Sequence, residues 1–201
     1  MRADLEALTG SKLITWQADF ADTNELERAI AEQRVRFSQV DSFVNLAAAM
    51  PVCSFEDATA DGIMATLATN LVPGLLLMRA VAPAMIERGW GRIVHGSSIG
   101  VKFGGGSDSF LYSLSKHAQE FIPRTARLWA AHGVLVNVVR IGVTATRAST
   151  NYPDKQVGDR LALIPARRAA TTEEIADFLF WLGSERNRFI SGEVIAASGG
   201  E

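Results

Sequence analysis

Only one cysteine, Cys53, occurs among 201 residues, so no intrachain disulfide can form. That fits a reducing compartment, and Cys53 reads as a small apolar filler or loop residue. A strong charge of either sign is also missing. Twenty Lys and Arg face 22 Asp and Glu, a formal net charge of -2, and the basic residues are scattered. Nothing in that balance favours nucleic acid or an acidic membrane as a partner. No uninterrupted apolar run reaches the roughly 18 residues of a membrane span, and the opening Met-Arg-Ala-Asp-Leu-Glu has no signal-peptide core. The expectation is a soluble, cytoplasmic protein. Repeats, low-complexity tracts and linkers are absent too, so 1–201 reads as one domain, and no residues are assigned to a metal.

What is present is a large apolar fraction, 48%, enough for a sizeable core. Leu5–Leu8 reads as a helix end stopped by Gly10, and Lys12–Ala18 as a strand. Asp22 to Glu25 has the D-x-x-E form of a capping box and opens a helix to about Arg34. Ser42–Leu46 reads as a short buried strand. An apolar helix follows from Asp61, interrupted near Pro73 and Gly74, to Ile86. Arg92–Gly96 is a strand, and Gly104 to Gly106 a loop. The pattern then predicts one long helix over Phe110–His132, with a kink at Pro123. Val134–Val139 is a strand and Thr144–Pro165 an irregular stretch. Thr171 to Glu174 is a second capping box, opening a helix to Leu182, and Val194–Ala197 is a last strand. Helices alternating with apolar strands predict an α/β fold, a mostly parallel sheet covered on both faces.

Ligands in such sheets bind beyond the C-terminal strand ends. Asn45 to Ala48 follows one strand, and Ser97 and Ser98 follow the next. Tyr112 and Lys116 lie on the helix after that, four apart and so on one face. An ammonium beside a phenol favours the phenolate. A tyrosine so tuned can exchange a proton with a substrate oxygen near neutral pH. A nearby serine hydroxyl can donate a hydrogen bond to that oxygen as charge develops.

These segments, in this order, resemble the short-chain dehydrogenase/reductase family. Asp19 matches its acidic residue after the third strand, and Asn45-Leu46-Ala47-Ala48 its N-N-A-G segment. Asn70 matches the helix asparagine. Arg92 to Ser98 matches the strand leading to the serine, and Tyr112-Ser-Leu-Ser-Lys116 the Y-x-x-x-K. Asn137 to Gly142 matches N-x-x-x-P-G, and Ile190 to Gly200 the closing segment. The resemblance implies a Rossmann-like doubly wound parallel sheet. It implies Tyr112 as acid/base, Lys116 lowering its pKa and touching a nicotinamide ribose, and Ser98 holding the substrate oxygen. Asn70 would keep a water in a relay behind Lys116. Asp19, Asn45, Ala47, Lys116, Gly142 and Thr144 would line an NAD or NADP site. A homo-oligomer, dimer or tetramer, is implied as well, with Leu75, Leu76, Met78 and Val81 as a candidate contact face.

The chain also departs from that pattern. The family's first two strands, first helix and glycine-rich phosphate turn have no counterpart, so the resemblance is to an N-terminally truncated form. Leu46 and Ala48 replace an asparagine and a glycine, and Ile141 stands where proline is usual. In the family order the Lys12–Ala18 strand would then lose its neighbours. The expectation is that it moves beside Ser42–Leu46, or that a second chain covers that edge. The leading reading is an oxidoreductase interconverting a carbonyl and an alcohol with NAD(P)(H). The alternatives are a cofactor-independent isomerase, dehydratase or cyclase, and a non-catalytic remnant or subunit.

Overall fold

The structure is a computed structural model that describes residues 6–7, 10–146 and 161–201. Four strands form one parallel sheet in chain order: β1 (Ser42–Asn45), β2 (Gly91–Ser98), β3 (Val134–Ile141) and β4 (Val194–Ala197). Parallel neighbours need long crossovers, and helices fill them. α1 (Thr23–Glu32) and α2 (Arg34–Phe37) precede β1, whereas α3 (Ala60–Asn70) and α4 (Val72–Arg88) fill the first crossover, α5 (Phe110–Ala118) and α6 (Arg124–Leu128) the second and α7 (Thr172–Leu182) the third. Short 3₁₀ turns at Ile99–Phe103 and Trp129–His132 complete the order.

Both faces of the central strands β2 and β3 are covered, whereas Ser42–Leu46, expected to be a buried strand, lies at the sheet edge with Val44 and Leu46 exposed because β1 pairs with β2 alone. On one side Met78, Val81, Ala82 and Met85 of α4 pack on Ile93, Val134, Val136 and Val138. On the other, Ile175, Leu179 and Leu182 of α7 pack on Val94 and Val139. By length and composition, Ala60–Arg88 could cross a membrane. It is two helices joined at Leu71, and the face α4 lays on the sheet is that of a core helix. Met78 and Val81 therefore belong to the core, while Leu75 faces out.

Of the two capping boxes read from the sequence, the one at Asp22 forms in one half only. The Asp22 side chain accepts from the Glu25 N–H at 2.8 Å. Thr171 and Glu174 cap each other reciprocally. Two expected elements do not form. Lys12–Ala18 is not a strand, and β1 pairs with β2 alone. The relocation beside Ser42–Leu46 does not occur. β-prone residues make a strand only with a ladder partner for their backbone, and here Trp16 instead packs edge-on against Phe37. The long helix over Phe110–His132 is also broken rather than kinked. α5 stops at Ala118, and α6 restarts after Pro123. Proline supplies no N–H and disfavours helical backbone at Ile122. The irregular stretch read from Thr144 to Pro165 lies mostly outside the described residues.

Arg92, at the start of β2, fastens the far end of the sheet. Its guanidinium is buried and donates to the carbonyls of Gly91, Gly133, Ser184 and Asn187 at 2.7–3.3 Å. Trp90 stacks at 4.7 Å from it. Burial lowers its pKa from the ordinary arginine value. Replacing Arg92 by Met strips these carbonyls of a donor and should cost about 3 kcal/mol, read as a lower urea midpoint. An unchanged midpoint would mean that the four carbonyls do not depend on the guanidinium.

Candidate active site

The C-terminal end of β2 and the helix α5 meet where the sequence places its chemistry. Tyr112 is half-buried in the first turn of α5, and Lys116 follows one turn later at 3% exposure. The Lys116 Nζ donates to the Gly96 carbonyl at 2.6 Å and to Gln119 Oε1 at 2.9 Å. It lies 5.9 Å from the centre of the Tyr112 ring. Losing water disfavours the charged form, and burial brings the Lys116 pKa down to about 8. Most of the population is still cationic at neutral pH.

Ser98 ends β2, and its hydroxyl oxygen accepts from the Gly100 N–H at 3.2 Å. The hydroxyl proton stays available for a ligand oxygen. Ser98 Oγ and Ser113 Oγ both lie within 4.0 Å of the point a Gly100 side-chain carbon would occupy. Gly100 thus lies close to both hydroxyls. Ser97 points to the opposite face, donating to Glu120 Oε1 at 2.8 Å with its oxygen 3.1 Å from the Lys116 carbonyl. Arg140 grips the same Glu120 carboxylate with two bonds of 2.7 Å. Burial alone would raise the Glu120 pKa, but the bonds from Arg140 and Ser97 outweigh it and hold it below its ordinary value.

Asn70, the last residue of α3, is 2% exposed. Its side chain accepts from the Ala49 N–H at 2.7 Å and donates to the Ala49 carbonyl and to Ser115 Oγ at 2.8 and 2.9 Å. It thereby ties α3, α5 and the segment after β1 together. Its own carbonyl accepts from Gln119 Nε2 at 3.4 Å. Asn45 turns to His95, with Nδ2 at 3.2 Å from the imidazole Nδ1, and also accepts from the Ala47 N–H. Burial first, and the nearby Lys116 charge second, push the His95 pKa down to about 4.

The remaining candidates divide. Gly142 lies where β3 and β4 converge, its N–H bonded to the Ala197 carbonyl. A side-chain carbon there would come within 2.6 Å of Ser198 Cα, so that position needs glycine. Thr144 donates back to the Gly142 carbonyl at 3.0 Å. Ala47 is half-buried just beyond β1. Asp19 is exposed and accepts from the Ala21 N–H in a local turn, on chain outside the sheet. Sequence reasoning missed Gln119, His95 and the Glu120–Arg140 pair. Gln119 shares the helical face of Tyr112 and Lys116, at spacings of seven and three, which was the available signal.

The dinucleotide implied by the sequence resemblance fits these residues in one half. Lys116 uses two of its three N–H donors, leaving one for a ribose hydroxyl. Ser98 and the Gly142–Thr144 turn lie at the neighbouring strand ends. The diphosphate half has no matching cradle among the described residues. The capped helix openings at Asp22, Thr59 and Thr171 carry Glu25, Asp61, and Glu173 with Glu174 in their first turns, and carboxylates there oppose an anion.

The buried histidine gives a pH signature. Its folded pKa of about 4 lies below the ordinary 6.5. The unfolded chain therefore binds more protons between those values, and stability falls as pH drops. His95 accounts for about 3 kcal/mol of loss between pH 6.5 and 4. Chemical denaturation across that range should be steeper for the wild type than for His95→Phe, and equal slopes would contradict a buried neutral imidazole.

Comparison with known proteins agrees in extent as well as motif. Residues 2–201 match the family described as enoyl-(acyl carrier protein) reductase. The chain is 30% identical over 198 residues to the acetoacetyl-CoA reductase of Shinella zoogloeoides, covering 98% of this chain and 81% of that one. It is 31% identical over 184 residues to the 3-oxoacyl-[acyl-carrier-protein] reductase FabG of Escherichia coli, covering 89% and 73%. A crystal structure of 3-oxoacyl (acyl-carrier-protein) reductase from Agrobacterium tumefaciens, with NADP bound, superposes at a TM-score of 0.86 with 25% identity, covering 98% of this chain and 78% of that one.

Proposed function

The chain belongs to the short-chain dehydrogenase/reductase family and is an oxidoreductase of that type, and we propose that it interconverts a small-molecule carbonyl and an alcohol with NAD or NADP, Tyr112 acting as acid and base. One observation carries this reading. A buried ammonium, Lys116, is fixed 5.9 Å from the Tyr112 ring centre, beside the strand end that presents Ser98. The NADP bound in a similar reductase and the spare Lys116 donor support the cofactor.

In the direction of reduction, the Tyr112 hydroxyl gives its proton to the substrate carbonyl oxygen. The Ser98 hydroxyl donates a hydrogen bond to the same oxygen and stabilises charge building there. The Lys116 cation stabilises the phenolate left on Tyr112, an effect strengthened by its removal from water. A nicotinamide held by Lys116 and the Gly142–Thr144 turn would supply the hydride at the carbonyl carbon. Oxidation runs these proton steps backwards. Asn70 acts behind the site by fixing α3 to α5. A homo-oligomer remains the proposed assembly, supported by exposed Met64 and Phe121 near these helices.

The lack of a diphosphate cradle among the described residues favours a second reading, a proton-transfer enzyme of the same fold that works without a dinucleotide. Titrating NADH and NADPH against the fluorescence of Trp16, Trp90, Trp129 and Trp181 separates the two. Saturable quenching is expected, and its absence with both would favour the second reading. Tyr112→Phe should lower turnover by about 10²-fold or more with an unchanged melting temperature; equal turnover would remove Tyr112 from the chemistry. The rate should also fall as pH rises through about 8, where Lys116 loses its charge.

A further inference from the structure

We infer that Gln119 is a positioning residue for this site, a neutral anchor that holds the Lys116 ammonium beside Tyr112 and fastens it to the carbonyl ending α3. The inference rests on the reading of Tyr112 and Lys116 given above. Gln119 is 5% exposed, and a buried amide is retained only where its polar atoms are bonded. Oε1 accepts from Lys116 Nζ at 2.9 Å, and Nε2 donates to the Asn70 carbonyl at 3.4 Å. Both ends of the amide are thus engaged, one with each helix.

The surrounding chain makes room for it. Gln119 is the first residue beyond α5, where its N–H still bonds to the Ser115 carbonyl. Across from it, Gly74 of α4 has no side chain. A carbon there would lie 3.5 Å from Gln119 Nε2 and 2.3 Å from Asn45 Nδ2. Bare backbone at Gly74 therefore admits the Asn45 amide, with the Gln119 amide at ordinary contact distance beside it. A leucine at 119 would leave the ammonium with Gly96 as its one acceptor in these hydrogen bonds and the Asn70 carbonyl without this donor.

The choice of an amide over an acid matters for the site. The titratable groups facing Lys116 are Tyr112 on its own helix and His95 on β2, which is neutral. Glu120 lies behind Ser97 and is paired with Arg140 of β3. The two acceptors at 2.6 and 2.9 Å on Nζ, the Gly96 carbonyl and the Gln119 amide, are both uncharged. Dipoles can aim a cation without cancelling its field, whereas a carboxylate at 119 would spend that field on itself. Gln119 thus keeps Lys116 oriented and its charge directed at Tyr112.

The chain has only four lysines, so carbon-13 labelling of lysine Cε and NMR titration can follow each one. Lys116→Arg assigns the signal. In the wild type Lys116 should titrate near pH 8. In Gln119→Leu its midpoint should fall by about one pH unit, and in the near-isosteric Gln119→Glu rise by about one or more. Circular dichroism checks the fold, and if the leucine variant fails to fold, the glutamate variant alone decides. The same Lys116 midpoint in wild type and in the folded variants would overturn the inference. Opposed shifts in a protein without Tyr112-dependent turnover would uphold the anchor while removing the reductase reading.

Discussion

Eight residue pairs lock β2 to β3, from Gly91↔Val134 to Ser98↔Ile141, and helices seal both faces of β2 until its last residue. Every polar group on that strand must therefore find its partner inside the protein. Arg92 finds four carbonyls, His95 finds Asn45, and Ser97 finds Glu120 and the backbone of α5. Ser98 is the first side chain on the strand to escape that enclosure. The site begins where the enclosure ends, and the rigid strand beneath it fixes where its groups point.

Two opposing demands meet at Lys116. Burial penalises its charge, yet the chemistry proposed for Tyr112 needs that charge. The structure meets the first demand by bonding the ammonium to strand and amide acceptors, and the second by keeping acids at a distance. The nearest acid along the chain past α5, Glu120, is turned to Arg140. The polar cluster from Asn45 to Asn70 is thus a set of bonded neutral groups around one cation.

The four strands that form and most helices were legible because apolar periodicity and the caps at Asp22 and Thr171 are local signals. Lys12–Ala18 misleads because a strand is a property of two stretches of backbone, and its β-prone residues have no ladder partner in the fold. The break after Ala118 is larger than the sequence suggests because Pro123 acts together with inward-turned Gln119, a tertiary contact. The Tyr112–Lys116 pair came from its spacing, and the roles given to Ser98 and Asn70 from the family resemblance. Gln119 was not legible, since a glutamine on an amphipathic helix ordinarily reads as solvent-facing. Asp19 follows from the family pattern, which presumes a sheet position that this segment does not occupy.

The short length of α5 has an electrostatic consequence. A continuous helix to His132 would have carried its negative pole several turns beyond the site. Ending at Ala118 puts Lys116 in the final turn, at the negative end of the helix macrodipole. The same break that interrupts the backbone therefore sets the helix's own field to work on the buried cation, opposing its desolvation. Pro123 thereby helps decide where the negative pole of the helix falls.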